Sequence, residues 1–288
     1  MDIVWKIIIY GGIFIFGFTA ISLWNFYLVT HPPKIITPLT PANFGLPEEE
    51  VTIESIDGLR LSAWFMESPA PKNGKKRALI ILHGYPADKS DMLFIAASLY
   101  PDFTLLLLDL RSFGKSEGAY TTFGIKERAD IKKAVDFLVD REYREIGIFG
   151  FSLGGAVGIL SAAEDKRIGA VASYASFSDI ETLGVDTYSQ LWILNKPMIK
   201  LMLAWAQIFF KESLFEISPV RAAQDLDIPI LIIHTMGDEV IPFHHAERLK
   251  ETLSTNAQAE FYFLEGRLHG DLPLEFYTRL NSFFTQSL

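Results

Sequence analysis

The pentapeptide Gly150-Phe151-Ser152-Leu153-Gly154 is the sharpest local signal for chemistry in this chain. A serine flanked by glycines two residues before and two after suits a tight strand-to-helix turn. The glycines relieve backbone crowding, and the hydroxyl is held out where a substrate carbonyl can reach it. With Gly and Ser each near 7% of residues, the pattern arises by chance about 0.1 times in a chain of this length. Its weight therefore comes from context: IGIFG (146–150) reads as a buried strand, and AVGILSAA (156–163) opens an apolar helical run. The bland alternative is a glycine-rich turn whose serine only caps a helix.

A serine hydroxyl is a weak nucleophile at neutral pH and needs a base, which in turn needs an orienting acid. Six histidines are available. His31 lies in a proline-rich segment, and His83 follows an apolar run inside His-Gly-Tyr-Pro. His234 ends a strand and reads as a satisfied buried or turn residue; His244 and His245 fall in the first turn of a charged, exposed helix. His269 lies in EGRLHGDLP, between the last strand and the last helix. Such a loop emerges at the carboxyl edge of a parallel sheet, where ligands bind, so His269 is the candidate base. Asp238, in GDEVIP directly after PILIIH, is the candidate acid, with Glu239 pointing elsewhere. Asp179 in SFSDI is its rival on the same edge, whereas Asp225 and Asp227 precede their strand. Acyl transfer also needs fixed backbone N–H donors for an oxyanion, and Leu153 and Tyr85 are the candidates. No metal and no organic cofactor is required.

The elements that must position these residues alternate between strand and helix signals. VTIESI (51–56), Asp57-Gly58 and LRLSAWFM (59–66) predict a β-hairpin, because Asp-Gly favours the positive φ values of a tight turn. ALIIL (78–82) and TLLLLDL (104–110) are almost wholly apolar, as strands buried on both faces of a parallel sheet are. GAVASY (169–174), PILIIH (229–234) and EFYFL (260–264) are further strands, and 124–140, 242–253 and 273–284 carry helical patterns. This alternation predicts a parallel sheet covered on both faces.

Residues 7–29 hold 23 positions without a charge, with Thr19, Ser22 and Asn25 as the clearly polar side chains. At about 1.5 Å per residue that run spans roughly 35 Å as a helix, enough to cross a bilayer. Trp5, Tyr10, Trp24 and Tyr27 lie near its ends, where aromatic belts sit. A signal peptide has a shorter apolar stretch and a small-residue cleavage site, and FYLVTHPP offers no such site. Residues 1–30 therefore read as a transmembrane anchor, with the charge balance leaning toward an extracytoplasmic catalytic domain. Residues 31–50 carry five prolines and read as an extended linker. The net charge of −9 excludes nucleic acid as a partner, since binding it needs a basic footprint. The absence of cysteine excludes disulfide scaffolds and thiolate-held metals.

The order Ser152…Asp238…His269, the His83-Gly84 loop and the Gly-x-Ser-x-Gly turn together resemble the α/β-hydrolase superfamily. The spacings of 86 (238 − 152) and 31 (269 − 238) residues leave room for a lid, then for one helix and strand. DLRSFGKSEG (109–118) is similar to that family's D-x-R-G-x-G-x-S-x-G loop, with Ser112 where glycine is usual. The resemblance runs from Val51 to the C-terminus and is closest to single-span, membrane-anchored serine hydrolases of the BEM46-like and acyl-protein-thioesterase-like kind. It implies the α/β-hydrolase fold over 51–288, a Ser152-His269-Asp238 triad and the Tyr85 and Leu153 donors, but no substrate.

Residues 176–221 form an insertion between strands and predict a helical lid. Within it PMIKLMLAWAQIFF (197–210) repeats Met198, Met202, Trp205 and Phe209 at helical spacing, a possible flexible wall for an acyl chain or simply packing on the sheet. The expected activity is hydrolysis of carboxylic esters or thioesters of a small or lipid-like apolar acyl substrate. A serine peptidase, a non-catalytic binding protein on the same scaffold, and acyl transfer to an acceptor other than water are the alternatives.

Overall fold

The computed structural model describes residues 3–69, 76–266 and 268–288. Arg267 of the His269 loop, and Met1 and Asp2 before the apolar run, lie outside them. The strands are β1 (Glu49–Glu54), β2 (Arg60–Met66), β3 (Arg77–Leu82), β4 (Thr104–Leu108), β5 (Glu145–Phe151), β6 (Ile168–Tyr174), β7 (Ile230–Thr235) and β8 (Ala259–Leu264). They join in one sheet in the order β1-β2-β4-β3-β5-β6-β7-β8. β1 and β2 form the hairpin, with Glu54 opposite Arg60 and Gly58 at φ 82°, and β2 also runs antiparallel to β4. Every other pairing is parallel.

Helices cover both faces. Every residue of β3 and β4 is buried, and successive side chains alternate between two cores. Ala78, Ile80 and Leu82 face the core shared with α3 (Ile125–Asp140), α4 (Leu153–Glu164) and α8 (His244–Thr252). Leu79 and Ile81 face α2 (Leu93–Leu99) and α9 (Leu274–Ser287). This is an α/β-hydrolase fold. The loop after β4 is held by a buried ion pair: Asp109 accepts from Lys89 Nζ at 2.6 Å and from the Lys89 and Lys115 N–H groups at 2.7 and 2.9 Å. Ser112 takes up the left-handed backbone usual for glycine (φ 72°), anchored by its Oγ donating to Tyr120 O at 2.6 Å.

The insertion after β6 comprises α5 (Ile180–Thr187), a 3-10 turn over Ser189–Leu194, α6 (Asn195–Phe209) and the short α7 (Pro219–Ala223). The apolar N-terminal run forms one helix, α1 (Ile3–Thr30), long and apolar enough to cross a membrane. Its first half is exposed, but Ser22, Phe26 and Thr30 are buried against the rest of the chain. The following segment is not slack. Thr121 N–H donates to Thr30 O at 2.8 Å, Lys34 Nζ to Ser116 O at 2.6 Å, and Thr37 N–H to Asp88 Oδ2 at 2.6 Å.

Candidate active site

β5 ends at Phe151 and α4 begins at Leu153, so Ser152 alone makes the turn. Its backbone sits at φ 53°, ψ −113°, an arrangement that L-residues rarely adopt, and its N–H donates to Tyr174 O at 2.8 Å. The flanking glycines are explained by contacts. A Cβ on Gly150 would lie 2.2 Å from Gly154 O, and one on Gly154 would lie 2.6 Å from Leu82 O. Both obstacles are backbone, which cannot swing aside. Gly150→Ala is therefore expected to cost about 3 kcal/mol or more, whereas Gly158→Ala, which meets the Ile148 side chain at 3.0 Å, costs far less. Thermal unfolding of the two full-length variants in detergent checks this; equal midpoints would refute the packing account.

The loop after β3 lies against this turn: a Cβ on Gly84 would come within 3.2 Å of Ser152 Cβ. His83 sets the loop. Leu110 N–H donates to His83 Nε2 at 3.1 Å, so Nδ1 carries the proton and donates to Gly84 O at 2.7 Å. Burial pushes the His83 pKa down and keeps the ring neutral in this role. Tyr85 follows, and Leu153 stands in the first turn of α4, where N–H groups have no partner within the helix.

Asp238, in the turn after β7, is buried and meets His269: Nδ1 donates to Oδ2 at 2.7 Å. Its Oδ1 accepts from Val240 and Ile241 N–H at 2.9 and 2.8 Å. Burial raises the Asp238 pKa, but the His269 and Ile241 hydrogen bonds more than offset it and leave it below the ordinary carboxylate value. Because Nδ1 of His269 is the donor, Nε2 is left as the basic nitrogen. The ring packs on Phe151, the neighbour of Ser152, with centroids 4.9 Å apart. Among the described residues no hydrogen bond joins Ser152 Oγ to His269; such pairs often tighten only around a substrate.

Asp179 does not meet His269. It caps α5, accepting from Thr182 N–H at 2.8 Å and pairing with Arg248. His234 is buried and its Nε2 is bonded to Ile241 O at 2.8 Å. The expectation for His245 fails: it is fully buried rather than exposed, because Ser178 N–H donates to its Nδ1 at 3.0 Å and Asp186 of α5 takes its Nε2 at 3.0 Å. Asp186, His244 and His245 bring their ligand atoms within 4.8 Å of one another, as metal ligands do. Yet the Ser178 N–H fills the Nδ1 lone pair of His245, so its Nε2 bears the proton and has no lone pair for an ion. The cluster ties α5 to α8 instead.

Beside Ser152 opens an apolar cavity of about 260 Å³. Tyr85 and Phe123 line it from the domain loops, Ile180 and Leu183 from α5, and Ile199, Met202 and Leu203 from α6. Among the described residues none lining it is charged. Thr30, Thr187 and Tyr188 also line it, but each hydroxyl is already bonded, to Phe26 O, Leu183 O and Asn25 Oδ1. Of the four expected wall residues Met202 alone lines it: Met198 is buried in the core outside the cavity, and two more turn elsewhere, since Trp205 Nε1 donates to Ser22 Oγ at 2.8 Å and the Phe209 ring packs on Phe26 at 6.2 Å. Both face α1, because the cavity-facing positions of α6 are Ile199, Met202 and Leu203. Reading the sequence alone missed Phe26, Val29 and Thr30 of α1, which line the same cavity.

The mostly parallel eight-stranded sheet with helices on both faces is that of an α/β-hydrolase, an enzyme of the hydrolase class. The solved esterase Pf2001 of Pyrococcus furiosus has this fold, with a TM-score of 0.74 at 23% identity over 91% of this chain and 99% of that one. The acylaminoacyl peptidase of Pyrococcus horikoshii superposes with a TM-score of 0.67 at 17% identity, over 84% of this chain but 42% of that one. The α/β hydrolase domain-containing protein WAV2 of Arabidopsis thaliana is 27% identical over 294 residues, 96% of this chain and 92% of that protein. Residues 115–272, more than half of the chain, match the prolyl oligopeptidase family, and the chain belongs to that family.

Proposed function

We propose that this hydrolase cleaves carboxylic esters or thioesters of an apolar acyl substrate through an acyl-enzyme on Ser152. His269 Nε2 takes the Ser152 proton as Oγ attacks the acyl carbonyl. Asp238 holds the His269 tautomer and stabilises the imidazolium. The Tyr85 and Leu153 N–H groups receive the negative oxygen, and removing one such donor typically costs about 100- to 1,000-fold in rate. His269 then protonates the departing alkoxide or thiolate. A water attacks the acyl-enzyme with the same base, releasing the acid and restoring Ser152.

The observation that carries this reading is the uncharged cavity at Ser152, whose remaining hydroxyls are largely spent within the protein. It has no charged group for the charged terminus of a peptide and few polar groups for its amides, and burying those unpaired would cost several kcal/mol. An acyl chain asks for no such partners. The family name and the acylaminoacyl peptidase fold favour a peptidase as the second reading. Turnover of octanoyl and acetyl esters against aminoacyl arylamides by the full-length protein separates the two. The octanoyl ester is expected to be the best substrate; arylamide turnover exceeding both esters would replace this reading with the peptidase.

A further inference from the structure

We propose that the N-terminal helix is a working wall of the substrate site, and that the chain it accepts belongs to a long-chain acyl ester reaching Ser152 along α1 from the bilayer. This deepens the serine-hydrolase reading above and rests on it.

Two observations lead there. First, Phe26 and Val29 of α1 face the cavity that holds Ser152. The helix is fastened in that position by its own polar residues: Trp205 donates to Ser22 at 2.8 Å, and Tyr188 OH to Asn25 at 3.1 Å. A passive anchor has no use for such bonds, and polar groups in an apolar span need protein partners.

Second, the cavity lies at membrane height. A hydrocarbon core of about 30 Å takes roughly 20 helical residues. Counted from Ile7, the first residue after Lys6, that brings the bilayer boundary to the turn holding Phe26. Trp24 and Tyr27, 61% and 50% exposed, sit at it, where amphipathic rings belong. Phe26 and Val29 occupy the same turns. Trp192 and Ile193 of the lid, with Ile208 and Phe209 at the end of α6, are exposed as well, and Phe209 packs on Phe26. On this proposal these exposed apolar side chains face lipid together with α1.

The test uses the full-length protein in phosphatidylcholine vesicles, with acetyl and palmitoyl esters of one fluorogenic alcohol. The palmitoyl ester is placed either in the same vesicles as the protein or in separate ones. Turnover at least tenfold faster in the shared vesicles is expected; equal rates overturn the bilayer route. Val29→Trp, which fills the cavity from the α1 side, is expected to lower the palmitoyl-to-acetyl ratio at least tenfold, and an unchanged ratio overturns the wall. Should that variant lose its unfolding transition, a palmitoyl lipid with a photoreactive chain end decides with the unaltered protein. Adducts on the cavity-facing Phe26, Val29, Ile199, Met202 or Leu203 support the proposal, and adducts confined to other residues overturn it. A wild type that turns over neither ester defeats the serine-hydrolase reading and this one together. Turnover of both with an unchanged ratio defeats only this one.

Discussion

Ser152→Ala is expected to abolish labelling by a fluorophosphonate and to lower ester turnover at least about 10,000-fold. Among the described residues, Ser152 is the one serine lining the cavity. Its backbone strain is inherited from the turn rather than from the side chain, so alanine keeps the fold. What survives is the contribution of the N–H donors and the apolar cavity, which hold a substrate but provide no nucleophile. Both proteins are labelled side by side and resolved by gel. A band that persists in the variant would move the nucleophile to another serine.

Asp238→Asn is expected to lower turnover by about 10,000-fold with little change in stability. The cause is directional. Val240 and Ile241 N–H groups both point at Oδ1 and hold an oxygen there. The new amide nitrogen must then face His269, 2.7 Å away, and it donates where the carboxylate accepted. Nδ1 becomes an acceptor, the proton moves to Nε2, and the base is lost. Asp179→Asn makes the contrast. It weakens the Arg248 pairing but keeps the α5 cap, because asparagine caps a helix about as well as aspartate, and it does not touch His269. Turnover and unfolding midpoints of the two variants decide. Greater loss of turnover in Asp179→Asn would take the acid away from Asp238.

Much of this was legible in the order of residues. Short apolar runs such as ALIIL, between turn signals, read as strands covered on both sides, and β3 is buried throughout. The Ser152 turn was readable because glycines at 150 and 154 answer a local clash. The rule of topology that set aside Asp225 and Asp227, which precede their strand, left Asp179 beside Asp238 on the same edge, and only the packed structure shows that Asp238 meets His269 while Asp179 caps α5. What stayed hidden depended on distant packing. Nothing near His245 in sequence foretells Ser178 and Asp186, which arrive from the lid and bury it. The role of α1 was concealed by its own composition, since a lipid-facing helix and a cavity wall are both apolar. A clue was present nonetheless: Thr19, Ser22 and Asn25 recur every third residue, marking one face that seeks protein rather than lipid.

The strap from Thr30 to Thr37 is clamped to the body at three points. A body on a loose tether would tumble and sample every orientation. Were α1 to span a membrane, its tilt would dictate the posture of the whole molecule, holding the mouth at one height and facing one way. Seated in a lipid sheet, such a molecule searches in two dimensions instead of three. It would graze its own patch of membrane and leave a neighbouring one untouched.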